Sequence, residues 1–334
     1  MRVLFKKEIM KFNLAGSFLL LLLLGCAESE KKRVSYSEEA VNSPQLFAPG
    51  VISTSDHNEF DLCFTPDGKT IYFTRRFPGE KQKIYTSTLA EGQWSAPVLA
   101  PFSTDRDETP FITPDGNTLY FGSQREIPGK PNLGGFDMNV WKVEKTPEGW
   151  SEPEPLPDPV NKVQIEGENW PSSVNNYFFT LDGITFYYTT MERGSAGIDV
   201  YKTTKEDKGF SLPERIEGLF ENDSLWKYSA SLSPDGEFMV FNVYDGPGGF
   251  GGDDLYVSKK TSSGWSGAVN MGEIVNSAGE EGSGRFSPDG RYFFFTHTDP
   301  PVDGEYEPWS IYFLETEFLN LQALLKEQRS GDLN

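Results

Sequence analysis

The sequence predicts an all-β chain assembled from repeated small antiparallel sheets, and three observations carry that prediction. The first is composition: of 334 residues, 14% are aromatic, with 33 Gly and 23 Pro. Ring-rich strands broken by turn residues have this mixture, and long helices do not. The second is a nine-residue pattern that recurs five times: TPDGKTIYF from Thr65, TPDGNTLYF from Thr113, TLDGITFYY from Thr180, SPDGEFMVF from Ser233 and SPDGRYFFF from Ser287. The third is spacing. The aspartates of the five copies, Asp67, Asp115, Asp182, Asp235 and Asp289, stand 48, 67, 53 and 54 residues apart, a self-similarity that marks a repeat architecture.

Each copy reads as a β-hairpin. Pro presets the first turn position, Asp bonds its own backbone, and Gly takes the left-handed conformation before an aromatic and β-branched strand. Leu181 replaces Pro in the third copy, where Asp182-Gly183 keeps the turn. A further strand travels with each hairpin: KIYTSTL, DMNVWKV, IDVYKTT, DLYVSKK and WSIYFLE, beginning at Lys83, Asp137, Ile198, Asp254 and Trp309. The first four are followed by an aromatic and a serine, Trp94-Ser95, Trp150-Ser151, Phe210-Ser211 and Trp265-Ser266. Four strands in about 50 residues is the period of a β-propeller blade. A unit so small buries both faces only by stacking on its neighbours.

The fifth unit lacks the aromatic-serine element, while Ser43 to Ala48 resembles the missing outer strand, as Ala96 to Leu99 precedes the second hairpin. The two termini are therefore expected to share one blade and close the ring, which removes exposed sheet edges. Counted this way there are five four-stranded antiparallel blades. A sixth, degenerate blade in the 67-residue interval between the second and third hairpins is the alternative. The propeller is expected over residues 43–316. The tail, 317–334, carries leucines at 319, 321, 324 and 325 and is read as a short docked helix.

Ahead of the repeats, Arg2, Lys6, Lys7 and Lys11 form a basic region and Leu14 to Leu24 an apolar run. Eleven helical residues rise about 16 Å, half of a hydrocarbon core, so residues 1–25 read as a signal segment and not a spanning helix. The ending Leu23-Leu24-Gly25-Cys26 resembles the bacterial lipoprotein box, which makes Cys26 the expected lipidation site. Residues 26–42 are polar and charged and read as a tether. With Cys26 lipidated, only Cys63 remains, so no disulfide within the chain is expected, and Cys63 in Leu62-Cys63-Phe64 reads as a small buried hydrophobe. A formal charge of −20 argues against nucleic acid as a partner and against any membrane contact beyond the lipid.

The hairpin motif, the following strand and a Gly-rich linker such as Gly246 to Asp254 together resemble the TolB-type propeller repeat, a WD-repeat relative of bacterial envelope proteins. The resemblance covers about Ser43 to Glu315. It implies a propeller in the cell envelope, on the periplasmic or the surface side of a membrane. It leaves function open, since this repeat serves scaffolds, peptidase propellers and lipoproteins alike.

On the plan of such propellers, the loops entering the inner strands and those joining second to third strands share one face, opposite the Pro-Asp-Gly turns. That places His57, Glu59, Asp107, Glu108, Glu168, Trp170, Trp226, Lys227, Glu280 and Glu281 at the channel mouth, with Arg75, Arg76, Arg125, Arg193, Tyr244, Asp245 and His297 from the second set of loops. Of these, Glu59, Asp107, Glu108, Glu168, Trp170, Trp226, Glu281, Arg76, Arg125 and His297 are the ligand-binding candidates: carboxylates and cations for charge-assisted bonds, and two tryptophans outside the repeat pattern for stacking. The competing reading is that the acids bond backbone amides and serve the repeat. Trp94, Trp150 and Trp265 are expected to pack between blades.

Only two histidines are present, which excludes a three-histidine metal site, and no Gly-x-Ser-x-Gly elbow occurs. No cofactor is expected; Asp245, Asp253 and Asp254 could hold calcium but lack the EF-hand spacing. The expectation is a monomeric, non-catalytic recognition or scaffold module for an envelope protein or glycan. A carboxylate-dependent glycosidase or other carbohydrate-active enzyme acting at the same face is the alternative.

Overall fold

A computed structural model describes residues 34–128, 137–161, 175–192, 194–305 and 307–331. The expected signal segment, Cys26, Glu168, Trp170 and Arg193 lie outside them. Five antiparallel sheets make a five-bladed propeller. Their inner strands are Asn58–Phe64, Asp107–Ile112, Asn175–Thr180, Trp226–Leu232 and Glu280–Phe286. Thr70–Arg76, Thr118–Ser123, Thr185–Thr190, Phe238–Tyr244 and Tyr292–Thr298 follow as second strands. The third strands are Lys83–Ala90, Asn139–Thr146, Asp199–Glu206, Asp253–Thr261 and Ser310–Glu315. Two-residue outer strands complete the first four blades, at Val98–Leu99, Glu154–Pro155, Glu214–Arg215 and Val269–Asn270.

The fifth blade takes its outer strand from the other end of the chain. Gln45 pairs with Phe313 and Leu46 with Tyr312, so the ring closes through the two termini as the truncated fifth repeat implied. The inner strands touch one another all the way round, the fifth against the first included. Backbone bonds follow the same path: Glu59 N–H donates to Trp309 O at 2.8 Å, Asp107 N–H to Gln82 O at 3.1 Å and Lys227 N–H to Ile198 O at 2.8 Å. Each links the start of one inner strand to the residue leading into the preceding blade's third strand.

The repeated residues have local work to do. In every turn the Ser or Thr hydroxyl donates to the Asp two residues on, as from Thr113 to Asp115 at 2.5 Å and from Ser287 to Asp289 at 2.7 Å. In four of the five it also accepts a backbone N–H five residues on. The Asp in turn accepts a backbone N–H two residues ahead. A hydroxyl and a carboxylate thus hold each turn shut. The serine after each aromatic stitches the third strand: Ser95, Ser151, Ser211 and Ser266 Oγ accept the N–H of Thr88, Glu144, Thr204 and Lys259 at 3.0–3.1 Å.

The aromatics themselves pack inside. Trp94 lies against Phe47 and Tyr36, Trp150 against Tyr72 and Phe102 with its indole N–H donating to Tyr72 Oη at 3.1 Å, and Phe210 against Phe178 and Phe186. The largest cluster forms where the ring closes: Phe47 meets Phe294, Phe313, Tyr36 and Trp94 with centroids 5.0–6.3 Å apart. Tyr36 also covers the first turn, where Gly68 has φ +70° and a Cβ would stand 2.7 Å from the Tyr36 hydroxyl. The chain then runs through a short 3-10 turn, Thr316–Leu319, into the helix Leu321–Gly331, which buries Leu321 and Leu325. Among the described residues no helix is long and apolar enough to cross a membrane.

Candidate functional site

All five inner strands carry the same irregularity. Pairing slips by one residue between Phe60 and Cys63, Glu108 and Phe111, Asn176 and Phe179, Tyr228 and Ser231, and Gly282 and Arg285. At each bulge one non-glycine residue has positive φ: Asp61, Thr109, Tyr177, Ser229 and Ser283, at 50–57°. Such a bulge bends the strand and re-aims its side chains. Five in register bring these residues to the channel axis, where hydrogen bonds join them. Ser283 Oγ donates to Asp61 at 2.6 Å, Ser229 Oγ to Ser283 Oγ at 3.3 Å, and Thr74 Oγ1 to Asp61 at 3.1 Å while accepting Thr109 N–H at 3.1 Å. Thr109 in turn bonds Asn176.

This girdle divides the channel. On the face of the loops entering the inner strands lies a polar funnel of about 230 Å³, walled by Phe60, Asp61, Gln82, Arg106, Glu108, Tyr177, Tyr228, Asn242, Asp253 and Trp309 among others. On the face of the Pro-Asp-Gly turns lies an apolar vestibule of about 330 Å³, which shares no wall residue with the funnel.

Strand alternation sorts the candidate residues. Successive side chains point to opposite faces, so of each acid-bearing pair only one member reaches the channel. Glu108 lines the funnel, and its neighbour Asp107 is buried on the other side, accepting from Arg125 at 2.9 Å, Ser103 Oγ at 3.0 Å and Asp105 N–H at 3.2 Å. Glu59 likewise meets Arg75 at 3.0 Å, with Thr54 Oγ1 at 2.8 Å and Thr54 N–H at 3.2 Å. Glu281 takes His297 Nδ1 at 2.7 Å, Ser277 Oγ at 2.6 Å and Ser277 N–H at 3.0 Å. Glu59, Asp107 and Glu281 thus close the loops that enter their strands, each against a basic side chain from the second strand or its end: Arg75, Arg125 or His297.

The fourth blade has the charges reversed: Lys227 holds the acid's position and bonds Asp199 of the third blade at 2.8 Å, both buried. Arg125 is occupied further by Phe102 O at 2.5 Å. His297 borders a separate cavity with Asp56, Asp299 and Glu307. Arg76 does not line the funnel but holds its guanidinium 5.9 Å from the ring of the wall residue Phe60, with burial first and Arg106 second lowering its pKa. Trp226 begins its strand two residues before Tyr228, on the same face.

Sequence reasoning missed Asp61, Tyr177, Tyr228, Arg285 and Trp309, and named Asp253 only as a calcium candidate. The available signal was the polar or oversized residue four positions before the turn Ser or Thr in four repeats, and three before it in the third: Asp61, Thr109, Ser229, Ser283 and Tyr177.

The funnel is acid-rich. Burial pushes Asp253 up to about 7, with Glu280, Asp254 and Glu281 adding repulsion, and Tyr228 Oη donates to it. Burial also raises Glu108, against the pull of Arg106 and with the help of Asp61. A carboxyl that keeps its proton, as Asp253 does below about pH 7, can donate as well as accept hydrogen bonds. In the linker proposed for calcium, Asp254 accepts Phe250 N–H at 2.7 Å and Asp253 bonds Tyr228, and no metal-binding group of three or more acids, histidines or cysteines occurs among the described residues.

No protein-family model matches the chain, and no curated protein matches it. Its neighbours among solved structures include TolB-like β-propellers. TolB from Acinetobacter baumannii is 15% identical at a TM-score of 0.46, over 78% of this chain and 54% of that one, so this chain spans about half its length. A putative TolB from Agrobacterium tumefaciens is 16% identical at 0.45, over 77% and 90%. Zg3597, a family 117 glycoside hydrolase produced by Zobellia galactanivorans, is 13% identical at 0.48, over 82% and 90%. Likeness at this level carries no functional argument, and function is read from the funnel itself.

Proposed function

We propose that the chain is an exported propeller, lipid-anchored through Cys26 to a membrane of the bacterial envelope, that acts as a non-catalytic recognition module and binds an envelope glycan in the funnel. The observation that supports this reading is the funnel wall itself. Phe60, Tyr177, Tyr228 and Trp309 offer ring faces, and Glu108, Asp253, Gln82, Asn242 and Arg106 offer donors and acceptors around the same 230 Å³. A sugar needs both, CH faces stacked on rings and hydroxyls bonded at fixed points. Trp226 and Arg76 extend this surface in the proposal; Glu168 and Trp170 lie outside the described residues. A protein partner would enter the same funnel with a cationic side chain against Asp61, Glu108 and Asp253.

A catalytic reading has one observation in its favour. Asp253, held near neutral pH opposite further carboxylates, has the property a glycosidase asks of its general acid.

The test is a glycan array and an envelope-extract pull-down with the purified full chain, beside Glu108→Gln and Asp253→Asn. Recognition predicts that Glu108→Gln weakens capture about tenfold, the worth of one charge-assisted bond, with the captured glycan recovered intact. Turnover of that glycan that is lost in Asp253→Asn while capture persists would establish the enzyme instead. Capture unchanged in both variants would remove the funnel from the account.

A further inference from the structure

The second cavity, on the face of the Pro-Asp-Gly turns, has a different chemistry from the funnel. Its walls are the residues after each bulge, Leu62, Phe111, Phe179 and Phe286 among them, and the turn prolines with Leu181 form its rim. No carboxylate lines it. One cation does: Arg285, on the inner strand of the fifth blade.

Arg285 is held on one side only. Its Nη1 donates to the carbonyls of Gly284 at 2.9 Å, Ser229 at 3.1 Å and Ala230 at 3.2 Å. The Tyr177 ring lies 5.7 Å from the guanidinium carbon. Nε and Nη2 have no hydrogen-bond acceptor among the described residues, and Asp61, the carboxylate whose charge acts on Arg285, makes no ion pair with it within 4.0 Å. Three carbonyls and a ring therefore fix the guanidinium plane and leave its Nε–Nη2 edge unused. That edge is the planar two-donor fork that matches a carboxylate. It stands in an apolar surround where a charge-assisted pair is screened less than in bulk water.

We infer that the vestibule is a binding site for a small monocarboxylate with an apolar body, its carboxylate paired with the Nε–Nη2 edge of Arg285 and its body packed against Leu62, Phe111, Phe179 and Phe286. The site lies across the girdle from the funnel and does not rest on the glycan reading. A cavity of about 330 Å³ is at the small end of the range for ligand pockets, which sets the size class.

The probe is 3-(4-fluorophenyl)propionate, titrated into the purified full chain and followed by fluorine NMR, with 3-(4-fluorophenyl)propan-1-ol as the uncharged comparator. Saturable binding of the acid, at least about tenfold tighter than the alcohol, is expected from the worth of a charged hydrogen-bonded pair. Arg285→Gln should remove that preference. Because Arg285 also holds three carbonyls, Leu181→Glu is the second variant: it places a carboxylate at the rim, removes no buried group, and should weaken the acid about tenfold while leaving the alcohol unchanged. Equal binding of acid and alcohol, no saturable binding, or indifference of the acid to Leu181→Glu in protein with native near-UV circular dichroism would overturn the inference.

Discussion

Replacing Phe47 by alanine tests the closure of the ring at its most exposed joint in sequence terms, a two-residue strand near the start of the described chain. Phe47 is 1% exposed and its ring is surrounded by Phe294, Phe313, Trp94 and Tyr36. It donates its N–H to Ile311 O at 2.8 Å, which ties this segment to the third strand of the fifth blade. Removing a buried phenyl group from such a site costs about 3–5 kcal/mol, transfer and cavity terms together. With a urea slope of about 3 kcal/mol/M for a chain of this size, the midpoint should fall by roughly 1–1.7 M. The control is Val98→Ala in the matching outer strand of the first blade. Val98 is 60% exposed, and its substitution should stay within about 0.5 kcal/mol. Urea unfolding followed by tryptophan fluorescence measures both. Equal shifts for the two variants would refute the closure argument, because an outer strand that merely decorates the fifth blade has no reason to be worth more than the one on the first.

Two further outcomes follow from local geometry and charge. Gly68→Ala should lower the urea midpoint more than Gly236→Ala: both glycines have φ near +70°, but an added Cβ meets the Tyr36 hydroxyl at 2.7 Å in the first and only Leu181 at 3.6 Å in the second, so equal losses would show that backbone strain alone decides. Stability should fall between pH 5 and pH 8. Asp253, lifted from 3.8 to about 7 by burial, and His297, lifted above 6.5 by Glu281, both bind protons more tightly folded than unfolded. The folded state therefore loses ground as pH rises from each group's ordinary value through its folded one. Urea midpoints at pH 5, 6.5 and 8 measure the decline, which Asp253→Asn and His297→Gln should each flatten; a midpoint that rises over this range contradicts the assignment.

What could be read from the sequence divides along physical lines. The five turns announce themselves because Ser or Thr, Asp and Gly act within six residues of one another, and local chemistry leaves a local pattern. The closing strand was legible for a different reason: the fifth repeat ends early, and an uncovered edge must be covered by something. The site was half legible. The acids at the inner-strand starts were found, but a distance from the turn does not tell which face a side chain takes, so Glu59, Asp107 and Glu281 entered the candidate set beside Glu108, although they are buried in loop-closing pairs. The bulges were missed because positive φ at Asp61 or Tyr177 leaves no turn residue behind. The girdle could not be read at all, since Asp61 and Ser283 meet across 222 residues of chain.

The most direct test of the central claim is a hydrogen-exchange footprint of the full chain with and without the captured ligand. Binding in the funnel predicts added protection on the segments entering the inner strands, 54–60, 104–108 and 225–228, and around Asp253, with the Pro-Asp-Gly turns and the outer strands unchanged. Protection confined to those turns or to the outer strands would place recognition elsewhere on the propeller and contradict the account.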